Sequence, residues 1–219
     1  MDWWSAVDGY CERLGPGYWA EPLNAVTNAA FVLVAVLMWG RSAGSGGGLA
    51  RAMCAVLMLI GVGSYLFHTH ANRLTGVLDV APILGFILLY VFAASRDMLG
   101  LKGWQAGLCV LAFVPYAAAT VPLWGLVPGL GSSAGYAPVP VLIVFYAWLM
   151  RRQPATARGL AVGAGVLVVS LAFRTLDQPI CAAVPVGTHF LWHLLNAGML
   201  GWMIEVYRRH RLAASGARG

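Results

Sequence analysis

Seven apolar stretches follow one another along the chain, at about residues 24–39, 52–67, 77–94, 104–123, 136–150, 160–173 and 186–207, with short polar patches between them. Each approaches the length an α-helix needs to cross a bilayer, so the pattern predicts an all-α bundle of transmembrane helices. The fourth stretch carries Pro115, which a membrane helix tolerates, and a Gly/Pro/Ser-rich linker over 125–135 leads to the fifth. The fifth and sixth are short for a span, so apolarity alone leaves the count open between six and seven. No internal repeat and no separate soluble domain is visible. The reading is one integral membrane domain over 1–219, with an outer N-terminal segment at 1–23 and a basic tail at 208–219.

Charge bears on the count. Placing the loops alternately on two sides gathers Arg41, Arg51, Arg96, Lys102, Arg151, Arg152, Arg158, Arg208, Arg209, Arg211 and Arg218 on one side and leaves only Arg13, Arg73 and Arg174 opposite. By the positive-inside bias the larger group is cytoplasmic. Seven helices follow, N-terminus outside and C-terminus inside; six would put the Arg208 to Arg211 cluster beside the acidic N-terminal segment. Trp39, Tyr136, Trp148, Trp202 and Tyr207 fall near span ends and read as interface anchors.

Composition agrees, with 60% hydrophobic and 10% charged residues. A net charge of +6 could point to nucleic acid, but the charges sit where membrane topology puts them, so no nucleic-acid partner is expected. The start, Met1-Asp2-Trp3-Trp4, is acidic and aromatic, and no cleaved signal peptide is expected. The partners are the bilayer and a lipid.

This topology brings chemistry together. His68 and His70 end the second helix, Asp79 begins the third, and His189 and His193 begin the seventh, all at one depth near the outer face. Histidines four residues apart share a helix face and can close on one metal ion; alternatively they are core histidines satisfied by neighbouring carbonyls. An ionisable residue in a membrane segment is costly without a partner or cavity, so Asp79 is a functional candidate, or else a helix N-terminal carboxylate favoured by the dipole. Three neutral imidazoles with an open fourth position are the arrangement that acidifies a zinc-bound water to a pKa of roughly 7. Asp79 would then be the base or an orienting carboxylate. Ser64, one turn before His68, could donate to a developing oxyanion or simply bond its own backbone.

Several stretches carry a resemblance to a known family. Ala20-Glu21-Pro22-Leu23-Asn24-Ala25-Val26-Thr27-Asn28 resembles the A-E-x-x-N-x-x-S/T-N start of the first helix of the alkaline ceramidases, and Gly63-Ser64-Tyr65-Leu66-Phe67-His68-Thr69 is similar to their G-S-x-x-F-H-x-T. Leu78-Asp79 follows at the family's eleven-residue interval from the histidine, His189 to His193 resembles the last-helix H-x-x-x-H, and Asp177 to Cys181 the I-D-x-x-x-C segment. The resemblance implies a seven-helix intramembrane zinc amidase of the wider superfamily that includes adiponectin-receptor-like proteins. His68, His189 and His193 would be the zinc ligands, Asp79 the general base and Ser64 the helper at the carbonyl. Ceramide would be cleaved to a sphingoid base and a fatty acid, on the non-cytoplasmic side, facing a periplasm or an ER lumen. The resemblance also implies a disulfide between Cys11 and Cys181, whereas Cys54 and Cys109 lie within spans as buried thiols.

The chain departs from the family at its N-terminus. The D-W-C-E-x-N segment of the family's calcium site stands here as Gly9-Tyr10-Cys11-Glu12-Arg13-Leu14, with Asp8 one residue early. Asp8, Glu12 and Glu21 could still hold a calcium ion through oxygens, or form a solvated acidic tail. Val80 follows Asp79 where the family has an acidic residue, which widens the substrate from ceramide itself to related N-acyl lipids. A zinc-stabilised receptor or lipid-binding protein without hydrolase activity is the rival reading; an outer entry site of a transporter lacks polar stations in the cytoplasmic halves of the helices.

Overall fold

The computed structural model describes residues 2–43 and 47–216; Arg218 of the expected basic tail lies outside them. Eight α-helices and no strand are present among these residues: α1 (Pro22–Thr27), α2 (Ala29–Arg41), α3 (Gly48–His70), α4 (Arg73–Ala93), α5 (Gly103–Gly125), α6 (Pro138–Leu149), α7 (Pro154–Leu176) and α8 (His189–Gly216). Six helical segments are long and apolar enough to cross a membrane: Pro22–Arg41, which joins α1 and α2, then Gly48–His70, Arg73–Met98, Gly103–Gly125, Gly131–Leu149 and Pro154–Leu176. Large apolar side chains such as Leu33, Leu37, Leu108, Leu111 and Leu123 face outward. That is the surface of a multi-pass membrane protein.

The seventh expected span falls in α8, which is long but not apolar enough to join the six. The reason is what it buries. His189, His193, Asn196, Glu205 and His210 all lie inward on this helix. At 28 residues it is about 42 Å long, and it packs against α2, α3 and α7. The core between the helices holds Met53, Leu57 and Ile60 of α3, Leu160 of α7 and Ile204 of α8. One expected interface anchor is internal instead: Tyr207 is buried with its hydroxyl on the Asp97 carboxylate, a polar partner inside the bundle. Tyr136 is half-buried and packs on Trp192.

Three local features position the end of the bundle where α3 passes into α4. First, α3 and α4 touch closely at Gly63, where an added Cβ would lie 2.1 Å from the Leu78 carbonyl oxygen. Only a glycine permits this approach, and it sets Ser64 beside Asp79. Second, the tight connection between α3 and α4 is fixed by a cap: Asn72 Oδ1 accepts from the Thr75 N–H at 3.0 Å, and the Thr75 hydroxyl accepts from the Asn72 N–H at 3.2 Å. The N-terminal segment lies over this turn, with Val7 donating to Ala71 and Arg73 donating to Ser5 through their backbones. Third, a disulfide joins Cys11 to Cys181 and ties the N-terminal segment to the loop before α8.

At the opposite end of α8 the cations converge on two acids. Glu205 pairs with Arg41, Arg208 and Arg209, and Asp97 pairs with Arg96 and Arg211. Glu205 lies sixteen residues beyond His189 in α8, so about 24 Å of helix separates this basic end from the histidines.

Candidate metal centre

His68 arrives at the C-terminal end of α3, and His189 and His193 on the first turns of α8. All three are buried. Their ring centroids lie 5.2 Å (His68 to His189), 4.8 Å (His68 to His193) and 4.6 Å (His189 to His193) apart. One nitrogen from each ring comes within 4.8 Å of the other two, a spacing that could hold a metal ion. His70, two residues on from His68, points away and is exposed, so it stays outside the cluster.

Hydrogen bonds fix which nitrogens are free. Glu21 accepts from His68 Nδ1 at 2.6 Å, leaving Nε2 as the lone-pair nitrogen. The Thr27 hydroxyl proton has the carbonyls of Leu23 and Asn24 as acceptors, an arrangement in which its oxygen accepts from His193 Nδ1 at 3.0 Å. His193 therefore also carries its proton on Nδ1. The remaining nitrogens, His68 Nε2 and His193 Nε2, together with His189 Nδ1, are buried and have no hydrogen-bond partner. A buried polar atom without a partner costs about 1–3 kcal/mol. Three such nitrogens on rings this close could share one metal ion, and the donor set of three imidazoles suits a tetrahedral ion with one open position.

The surroundings hold these rings in place. Asp177 Oδ1 accepts from the backbone N–H groups of Thr188 at 2.7 Å and His189 at 2.9 Å, capping α8 at the residue that offers the first ligand. Its other oxygen accepts from the Cys11 N–H at 3.0 Å. Gly187, at φ +63°, makes the turn into the cap; a Cβ there would lie 2.0 Å from Asp177 Oδ1. Tyr10 stacks on His189 with centroids 3.7 Å apart, and burial pushes its phenol well above the ordinary value.

Ser64 and Asp79 line the same cavity as His193. Most of the remaining lining is apolar, with Asn196, Tyr90, Tyr136 and Tyr146 among it, and the cavity continues between α4 and α8 to Tyr90 and Met203, about 15 Å along either helix. The structure thus brings Ser64, His68, Asp79, His189 and His193 to one place, where the C-terminal end of α3 meets the N-terminal ends of α4 and α8.

It does not bring Asp8, Glu12 and Glu21 together as a cation site. Asp8 is exposed. Both oxygens of Glu12 accept backbone N–H groups, from Leu23 at 2.7 Å and Asn24 at 2.8 Å, at the start of α1. Glu21 is held by Arg13, His68 and Asn24. Burial works against the Glu21 carboxylate, but the bonds from His68 and Arg13 outweigh it and keep its pKa below the usual carboxylate range. Among the described residues, the three histidines are the group of metal-ligating side chains that converge. A calcium ion takes six to eight oxygens, and these carboxylates have other partners.

Four residues of the centre were not expected from sequence. Tyr10 and Arg13 lie in the N-terminal stretch whose Gly9 and Leu14 break the family's pattern, and Arg13 fills its unspecified position. Thr27 belongs to a recognised stretch, but which hydroxyl meets which ring depends on how α1 docks against α8. Asp177 belongs to a stretch that resembles the family's, and its cap forms because Gly187 turns the loop back. No protein-family model matches the chain, and no curated protein matches it.

Proposed function

We propose that the protein is an intramembrane zinc-dependent amidase that cleaves ceramide or a related N-acyl lipid to a fatty acid and a sphingoid-type amine. The observation that carries this reading is the set of three buried, partnerless ring nitrogens, whose His193 also lines a largely apolar cavity with a carboxylate and a hydroxyl. Zinc bound there supplies Lewis acidity toward water and toward an amide carbonyl.

The chain's own groups then have distinct tasks. Asp79 takes the proton of the attacking water and returns it to the amide nitrogen as the C–N bond breaks. The Ser64 hydroxyl donates to the oxygen that gains charge. Glu21 and Thr27 hold the Nδ1 protons of His68 and His193 and so keep both Nε2 lone pairs directed inward. The apolar cavity toward Tyr90 and Met203 takes the acyl chain, which stays in a membrane-like medium throughout.

In this reading α8 is the seventh span, the N-terminal segment is outside and the basic end of α8 is cytoplasmic, so the centre opens toward the non-cytoplasmic side. Support comes from the positive-inside distribution and from the Cys11–Cys181 disulfide, which belongs in an oxidising compartment.

The test is hydrolysis of a panel of N-acyl lipids, ceramides included, by detergent-purified protein beside His193→Ala and Asp79→Ala, with zinc quantified in each. Fatty-acid release by the wild type, lost in both variants with zinc lost only from His193→Ala, is the expected result. Stoichiometric zinc without turnover of any amide or ester lipid would replace this reading with a receptor or lipid-binding protein clasped by its metal.

A further inference from the structure

Arg13 is an arginine sealed inside a membrane protein's outer segment, with its side chain 6% exposed against a Glu21 side chain 2% exposed. Its Nε donates to Glu21 Oε1 at 2.5 Å, Nη1 to the Gly15 carbonyl at 3.1 Å and Nη2 to the His68 carbonyl at 2.9 Å. The contacts form a closed circuit. The guanidinium holds both the carboxylate that grips the His68 ring and the backbone of His68 itself. Buried charges persist only when paired and hydrogen-bonded, and the planar fork of arginine satisfies both demands at once.

We propose that Arg13 is a built-in cation that does here what a divalent ion on the same carboxylates would do: it neutralises Glu21 and fixes it against His68, so the metal centre is independent of calcium. The claim rests on the histidine cluster holding zinc, as in the reading above. Two features exclude a calcium ion beside Arg13. Glu12 has both oxygens on the α1 N-terminus, and a divalent ion near Glu21 would face the guanidinium's positive charge at contact distance. Arg13 is thereby a positioning residue. It acts on the metal through Glu21 and touches neither metal nor substrate.

The test measures zinc affinity by competition with a fluorescent chelating indicator, so it does not depend on turnover. Loss of an outer partner of a ligating histidine typically weakens metal binding 10–100-fold. Arg13→Met and Glu21→Gln should each fall by about that much, and the double variant should fall no further, because both act through one contact. Arg13→Lys, which keeps the charge but loses the fork, should fall between Arg13→Met and the wild type. Independent, additive losses would overturn the circuit, as would an Arg13→Met protein that binds zinc like the wild type. Wild-type protein stripped of calcium provides the measurement that needs no variant. Its zinc affinity and thermal midpoint should not move when calcium is added. A rise in either would overturn the proposal. If the wild type binds no zinc, the amidase reading falls, while the calcium titration of the thermal midpoint still decides whether Arg13 has replaced that ion.

Discussion

Asp177 offers the sharpest test of how the metal centre is held, because its two oxygens do different jobs. Oδ1 caps α8 through Thr188 and His189, and Oδ2 ties down Cys11. In Asp177→Asn the amide oxygen can keep the cap, while the amide NH2 turns toward the Cys11 N–H, so one buried donor is orphaned at a cost of about 2 kcal/mol. In Asp177→Ala all three donors lose their acceptor, and about 4–6 kcal/mol is expected after some rearrangement. For a chain of this size 1 kcal/mol moves the midpoint by about 2–4 °C. Thermal unfolding of the detergent-purified protein, followed by tryptophan fluorescence, should therefore place Asp177→Asn about 4–8 °C below the wild type, with Asp177→Ala at least twice as far down. Zinc retention should fall more for Asp177→Ala, since His189 is the residue at the end of the lost cap. The disulfide still holds Cys11 in both variants, so the comparison isolates the carboxylate. Equal midpoints for the two variants would refute the division of labour between the oxygens, and an Asp177→Ala midpoint within experimental error of the wild type would refute the cap.

Two further outcomes follow from distances already given. Gly63→Ala puts a methyl 2.1 Å from the Leu78 carbonyl and must part α3 from α4 at Ser64 and Asp79; little folded protein is expected on size exclusion in detergent, whereas Gly85→Ala on the same pair of helices, whose Cβ meets nothing nearer than 3.9 Å, should elute like the wild type. Thr27→Val removes the acceptor for His193 Nδ1–H without changing side-chain shape, so zinc affinity should drop about 10-fold with the thermal midpoint of the zinc-free protein nearly unchanged.

The residues that could be read ahead of the structure were those whose meaning is local. An i, i+4 histidine pair shares a helix face wherever that helix lies, and an apolar run of span length is a helix whatever it packs against. The His189–His193 pair falls in this class, while His68 and Asp79 enter through the topology and Ser64 through the resemblance; the structure gathers all five. Arg13, Tyr10 and Thr27 are not local in this sense. An arginine in an acidic, aromatic N-terminal segment looks like a stray surface charge until the disulfide folds that segment across the end of α3. The same limit explains Glu12 and Glu21. Carboxylates close in sequence resemble a cation site, but one turns to cap α1 and the other to serve a histidine, and neither choice is encoded in spacing.

The one helix that falls short of membrane-spanning apolarity is also the most informative. α8 loses apolarity through His189, His193, Asn196, Glu205 and His210, and every one of these is buried. A helix facing lipid could not carry five such side chains inward and outward alike; a helix enclosed by α2, α3 and α7 can, because its neighbours rather than lipid receive them. Its polar residues then sort by end. At one end His193 meets Thr27 and the His189 N–H meets Asp177, and Glu205 meets the basic cluster about 24 Å away. The departure from the expected apolar pattern is therefore what a helix must show when it carries half of a buried centre at one end and an ion-pair anchor at the other.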